Sequence, residues 1–473
     1  MVIGILIILI SATLYTSAKW ALSYFGLSCF EQIIFHLKVP LEGTNTDFIF
    51  DWIKKCFVKA CIFTAILCAP LLIETYAENF TIIAIVAGII LLILAAHEVG
   101  LFMFVINLFR KSNFYEDNYV DTKSVELTFP EKKRNLIYIY VESLETTYTS
   151  KENGGNHKHD LIYPLSTYGL EHINFSHNQQ LGGAKVVSGT GWTTGGIVAQ
   201  SAGIPLLVPI SQKRFSNKTD FFPGIYALGD ILEDQGYNQE YLIGSDAIFG
   251  GREFYFKKHG NYKIFDLKSA YKDSKIPADY KEFWGYEDEK LFAFAKEEVT
   301  ALAKEDKPFN FTMLTVDTHH PYGYKCHKCE DQYDERLSNI IACNCKQVGE
   351  FVEWIQQQPF YENTTIVITG DHLSMAAEYI NDTYDKNYER TIFNSFINSP
   401  VEAQKMKDRQ FTSFDMFPTT LASMGVRMDT NQLGLGVNLF SEQETLLEKY
   451  GFDYMDQQLR KQSKLYKQKL LKK

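Results

Sequence analysis

The chain has 473 residues, 46% hydrophobic and 22% charged, a globular composition that excludes an intrinsically disordered protein. Its formal net charge of -10 argues against a nucleic-acid partner. The 13 prolines are dispersed, and no heptad array, internal repeat or long low-complexity linker is present.

Three apolar runs occupy the N-terminal part, at roughly 2–15, 57–73 and 82–109. A membrane-spanning helix needs about 20 mostly apolar residues. The third run, centred on AIVAGIILLILAA, meets that length and the second comes close. The first starts directly after Met1 with no basic n-region, which speaks against a signal peptide. Residues 1–111 therefore read as a membrane region of three spans, with a fourth candidate in the aromatic stretch Trp20 to Leu37. Lys54, Lys55 and Lys59 before the second run, and Arg110 and Lys111 after the third, would by charge bias place the large domain in the cytoplasm.

Residues 112–134 are polar and read as a linker. From 135 to 443 short apolar runs alternate with helical patterns, which predicts an α/β domain with a mostly parallel sheet covered on both faces. The runs at Asn135–Val141, Phe311–Val316 and Thr365–Thr369 are expected strands. Glu287–Lys304 and Asn344–Gln357 are expected helices, the latter with Val348, Phe351, Val352 and Ile355 at helical spacing. Residues 444–473 are Lys-rich and read as a basic helical tail, solvated or resting on anionic headgroups.

Three of the expected strands end in metal-ligand residue types. NLIYIYVES ends in Glu142, FTMLTVDTHHP in Asp317, His319 and His320, and TIVITGDH in Asp371 and His372. Ligands of open α/β sheets bind beyond the carboxyl ends of the strands, so these residues form one polar, metal-bearing rim. A further motif, SGTGWTTGGIVAQSAGIP, sets Thr190, Thr193 and Thr194 among small residues before a helical stretch. A hydroxyl at a helix N-terminus sits among unpaired N–H groups that attract phosphate, and beside a divalent metal it is a candidate nucleophile. Taken alone, such a Gly-Thr loop is more often a turn than a catalytic element.

Four cysteines cluster in the soluble part, Cys326, Cys329, Cys343 and Cys345. They admit a zinc knuckle or two disulfides pinning a loop, and disulfides are the expected state.

The order of these motifs resembles the alkaline phosphatase and sulfatase superfamily, and within it the lipoteichoic acid synthase and phosphoglycerol transferase family. GTGWT, DTHHPYG, TGDHLSM and the Cys-bearing insert are most similar to the phosphoglycerol transferases of periplasmic glucans. The resemblance implies a metal-dependent transferase with one divalent metal held by Glu142, Thr193, Asp371 and His372. Manganese is the expected metal, with magnesium and zinc as alternatives. It further implies Thr193 as nucleophile, with Thr194 as the neighbour still open, His319 as acid/base or phosphoryl contact, and Arg252 and His320 on the substrate side. Gly250 stands where the synthases carry an aromatic residue. The implied donor is phosphatidylglycerol, the acceptor an envelope glycan or glycerol phosphate, and the intermediate a phosphoglyceryl-threonine. The implied location is the bacterial inner membrane, multi-pass, with the catalytic domain outside the cytoplasm, against the charge bias above. Phosphoethanolamine transfer, phosphodiester hydrolysis and a non-catalytic glycan sensor are the rival readings. No C/S-x-P-x-R pattern occurs at the nucleophile, so a sulfate ester is a poor substrate.

Overall fold

The computed structural model describes residues 1–24, 30–40, 47–210, 215, 221–280 and 282–472. Its centre is a seven-stranded sheet formed by β1 (Asn135–Val141), β2 (Gly183–Ala184), β3 (Asn238–Ile243), β4 (Lys263–Phe265), β5 (Phe309–Leu314), β6 (Thr364–Gly370) and β7 (Ile392–Ile397). The spatial order is β2-β7-β6-β1-β5-β3-β4. The five strands from β6 to β4 run parallel, and β7 and β2 close one edge antiparallel.

Strand alternation explains the layering. In β1, Leu136, Tyr138 and Tyr140 point into one core, with Val198, Ala202 and Leu421. Ile137, Ile139 and Val141 point into the other, with Leu291, Ala295, Val348 and Phe351. A strand buried on both faces reads as a continuous apolar run, which is why the sequence marks β1 and β6 so clearly. The expected helices are present as Asp288–Leu302 and Arg336–Gln356. The second begins eight residues earlier than its apolar stripe suggests, because its first turns bury Leu337, Ile340 and Ile341 beside polar neighbours.

Among the described residues two helices are long and apolar enough to cross a membrane, Val2–Tyr24 and Glu74–Glu98. They pack on each other through Ile8, Phe80 and Ala84. Gly88 permits the close approach, since a Cβ there would lie 2.7 Å from Ile7 Cγ2. The run at 57–73 forms the eleven-residue helix Val58–Cys68 after a π turn at Ile53–Phe57. The run at 82–109 breaks at Gly100, whose φ is +72°, and Leu101–Phe109 is a separate helix. In the fourth candidate stretch, Phe30–Lys38 is a nine-residue helix, and 25–29 lie outside the described residues.

Two expectations are corrected. The tail is not a solvated or headgroup-bound helix: Met455, Leu459, Tyr466, Leu470 and Leu471 are buried in the main core. Tyr466 Oη donates to Pro205 O at 2.6 Å and accepts from Leu207 N at 2.8 Å, so the tail clasps the segment after the GTGWTT helix. The linker is not free either, since Phe114 and Tyr115 are buried and Tyr115 Oη donates to Leu459 O at 3.0 Å. Lysine content hid the tail's apolar face, which carries only one core residue every three or four positions.

The four cysteines do not form disulfides in this structure. Cys326, Cys329 and Cys343 converge, whereas Cys345 is buried in the core beside Val348. Residues two apart on a helix face different sides, so Cys343 and Cys345 do not join one cluster.

Candidate active site

The register of the parallel strands builds the site. Val141 of β1 is paired with Gly370 of β6, so the residues next in the chain, Glu142 and Asp371, emerge side by side at the carboxyl edge. Tyr140 is paired with Leu314 of β5, which brings the His319 loop to the same rim. Gly370 has to be glycine, because a Cβ would meet Leu144 O at 2.0 Å.

Glu142, Asp371 and His372 each offer a donor atom within 4.8 Å of the others, and all three are buried. His372 Nε2 is 3.4 Å from Glu142 Oε1 and 3.3 Å from Asp371 Oδ2. The other ring nitrogen, Nδ1, lies 2.8 Å from Leu373 O, so a proton held there donates to the carbonyl and leaves Nε2 as the ligand atom. Asp371 Oδ1 accepts from Ser143 N at 2.8 Å and from its neighbour His372 N at 2.9 Å. Asp371 Oδ2, by contrast, is buried with no hydrogen-bond donor among the described residues. A buried acceptor without a donor is costly unless a cation occupies the space it faces. Two carboxylates, one of them carrying this orphaned oxygen, and an imidazole fit a divalent cation.

The charges agree. Burial would raise Glu142, but His372 and His319 outweigh it and hold the carboxyl below its ordinary value. Burial and the Glu142 charge push Asp371 up. Burial would lower His372, but Asp371 and Glu142 lift it to about 9. Such opposed shifts mark a place where a positive charge is wanted.

Thr193 opens the helix Thr193–Ala202. Its Oγ1 is 3.3 Å from His372 Nε2. Thr194 Oγ1 instead donates to Gly250 O at 2.9 Å, away from the ligand cluster. The helix is docked by Gln200, which accepts from Tyr138 Oη at 3.0 Å and donates to Gly370 O at 2.8 Å. Gly196 lets its first turn touch the Asp371 backbone, since a Cβ would lie 1.9 Å from Asp371 O.

His319 is stacked on His320 at 4.5 Å between ring centroids and meets Trp284 at a tilt of 54° at 4.7 Å. Its Nδ1 lies 2.8 Å from His320 O, and burial lowers its pKa. His320 is also lowered, by burial and then by His319, and its ring meets Tyr24 edge-on at 5.9 Å. Arg252 is buried, donates to Ser245 Oγ at 3.2 Å and Asp246 O at 3.0 Å, and lies over Phe249 at 5.4 Å. Its Nε has no acceptor among the described residues. Asp317 belongs elsewhere: its Oδ1 accepts from Asp288 N at 3.2 Å, capping the Asp288–Leu302 helix.

Several supports were not among the residues expected from the sequence. Thr315 Oγ1 accepts from Glu142 N at 3.0 Å, and Thr318 Oγ1 donates to Glu142 O at 2.6 Å. Arg390 forks onto Glu145 at 2.7 and 2.6 Å, and Ser374 N donates to Glu145 Oε1 at 3.0 Å, which ties the loops after β1 and β6 together. Phe249 and Trp284, 5.3 Å apart, line the Arg252 and His319 side. Thr315, Thr318 and Ser374 lie inside the strand-end motifs and Phe249 three residues before Arg252, whereas Glu145, Trp284 and Arg390 lie outside the motifs.

Residues 210–426 match the Sulfatase family. The chain carries a sulfatase-like domain over these residues. The chain is 32% identical over 333 residues to Phosphoglycerol transferase I of Shigella flexneri, covering 68% of this chain and 41% of that protein. The same figures hold for Phosphoglycerol transferase I of one Escherichia coli strain. The chain thus spans about two fifths of the length of these relatives. Among solved structures it is similar to the phosphoethanolamine transferase EptA of Neisseria meningitidis, an integral membrane protein (TM-score 0.51, 16% identity, 89% of this chain and 83% of that one). It is also similar to the lipoteichoic acid synthase LtaP of Listeria monocytogenes (TM-score 0.50, 17% identity, 69% and 80%). At these identities the likeness concerns the fold alone, and for EptA it extends over 89% of this chain.

Proposed function

We propose that this protein is a membrane-anchored transferase that moves phosphoglycerol from phosphatidylglycerol to an envelope glycan or glycerol-phosphate acceptor. The observation that carries this reading is Thr193. Its hydroxyl sits at a helix N-terminus 3.3 Å from His372 Nε2, beside a buried cluster suited to one divalent cation. The name of the 32%-identical relatives supplies the transferred group. Glu142, Asp371, His372 and Thr193 Oγ1 would hold the cation. Manganese suits this oxygen-rich set with one imidazole, and magnesium and zinc are the alternatives. When bound, it acts as a Lewis acid that favours the Thr193 alkoxide and offsets phosphoryl charge.

The remaining roles belong to the chain. Thr193 Oγ1 attacks the phosphorus, its bond to phosphorus forms, and the bond to the diacylglycerol oxygen breaks. His319, which burial keeps neutral, takes up the Thr193 proton and passes it to that oxygen. Arg252 Nε and the unpaired N–H groups at the start of the Thr193 helix receive the phosphodiester oxygens. An acceptor hydroxyl then attacks the phosphoglyceryl-threonine and regenerates Thr193. The apolar helices Val2–Tyr24 and Glu74–Glu98 would hold the site at the lipid that donates, raising its effective concentration. On this reading the domain lies on the outer face of a bacterial inner membrane, where an envelope acceptor is within reach.

The test is the intact mass of the full chain in detergent, incubated with manganese and phosphatidylglycerol. A glycerophosphoryl adduct on Thr193 is expected. An adduct only with phosphatidylethanolamine would overturn the headgroup, and no adduct with either lipid would overturn the transferase.

A further inference from the structure

The loop that carries His319 runs into a second cluster of metal-ligating side chains, separate from the site above. Cys326 and Cys329 lie in that loop, and Cys343 lies on the helix Arg336–Gln356. Cys326 Sγ is 3.6 Å from Cys329 Sγ and 3.7 Å from Cys343 Sγ, and all three sulfurs lie within 4.8 Å of one another. A disulfide would bring two sulfurs to about 2.05 Å. Sulfurs at the corners of a tetrahedron with metal–sulfur bonds of about 2.3 Å are about 3.8 Å apart. The separations match the second arrangement.

The local chain geometry agrees. Cys329 N donates to Cys326 O at 3.1 Å, a tight turn that presents two thiols to one side, as a Cys-x-x-Cys pair in a zinc knuckle does. The third sulfur comes from the facing helix. One turn further along, buried Gln347 points Nε2 at Cys343 Sγ (3.6 Å) and Cys326 Sγ (4.0 Å), an N–H group that favours thiolate over thiol. Cys343 also lines a cleft of 680 Å³ whose walls include Asp160, Glu330, Glu350 and Glu353 against two lysines, an entry route of cation-attracting sign. Three thiolates this close repel one another unless a cation stands between them.

We propose that Cys326, Cys329 and Cys343 form a trithiolate site for a soft divalent cation of the zinc class, the fourth position being left to water. Soft thiolates select against manganese and magnesium, so this site and the oxygen-rich one would take different ions. The bound ion fastens the loop carrying His319 and His320 to the helix Arg336–Gln356. The site does not depend on which headgroup the enzyme transfers.

Cobalt distinguishes the two sites, because only thiolate ligation gives strong sulfur-to-metal charge-transfer absorption in the near ultraviolet. Full-chain protein, purified with reductant and stripped by chelator, should develop this band with one equivalent of cobalt and lose it when zinc is added. Asp371→Asn should keep the band, and Cys329→Ser and Cys343→Ser should each lose most of it. If those variants do not fold, alkylating the wild-type thiols should release one zinc per chain. Absence of the band in the wild type would overturn the site, as would a Cys326–Cys329 or Cys326–Cys343 disulfide in protein purified without reductant.

Discussion

Thr194 and Gly250 are joined by a 2.9 Å hydrogen bond from the threonine hydroxyl to the glycine carbonyl, and this leaves the adjacent Thr193 as the hydroxyl that faces His372. Successive residues of a helix point about 100° apart, so only one of the pair can reach the ligands. Thr193→Ala is expected to abolish the protein-bound adduct and lower turnover on the order of a thousandfold or more, with an unchanged melting temperature. Thr194→Ala should keep the adduct and lose about 1 kcal/mol of stability. An adduct surviving in Thr193→Ala would exchange the two roles.

His372 sets the pH dependence of metal binding. Burial opposes its charge, but Asp371 and Glu142 lift it to about 9, so the metal-free ring carries a proton at neutral pH. A metal must displace that proton. Affinity should therefore rise about tenfold per pH unit up to 9 and level off above. Asp371, raised by burial and by Glu142, adds a second proton at lower pH and steepens the fall there. Metal titrations at pH 6, 7 and 8 check this, and a flat profile would contradict it.

The Arg390–Glu145 pair should matter more than its distance from the ligands suggests. Glu145 is fully buried, so Arg390→Ala leaves an uncompensated carboxylate inside the protein. The expected loss is about 3 kcal/mol in urea unfolding. Metal affinity should drop with it, because Glu145 also receives Ser374 N from the loop after His372.

The tail can be tested apart from catalysis. Leu470 is completely buried, and Leu470→Ala should cost about 2–4 kcal/mol. Tyr466→Phe removes the bonds to Pro205 O and Leu207 N and should cost about 1–2 kcal/mol. A solvated tail would show neither loss.

Strand ends were the most legible part of the sequence. β1 and β6 are buried on both faces, so their apolar runs are unbroken, and each leads directly into a ligand residue held by a parallel register. Asp317 shows where this reasoning stops. It comes after β5 as Glu142 comes after β1, yet it turns to cap a helix 29 residues earlier in the chain, a partner that no local pattern announces. The tail and linker were misread for a related reason: their apolar residues bury against distant segments, and composition records only the lysines. The cysteines needed the helix start, since the apolar stripe placed it at Asn344 and so hid that Cys343 and Cys345 share a helix and face apart.

Trp192, one residue before Thr193, rests against Phe35 at 5.7 Å and His36 at 6.3 Å, both on the short helix Phe30–Lys38. That helix is thus a wall of the catalytic chamber supplied by the N-terminal part of the chain. Cutting the protein at the linker would strip one side of Trp192 bare and loosen the first turn of the Thr193 helix. Kinetics measured on such a fragment would describe a chamber with a missing wall.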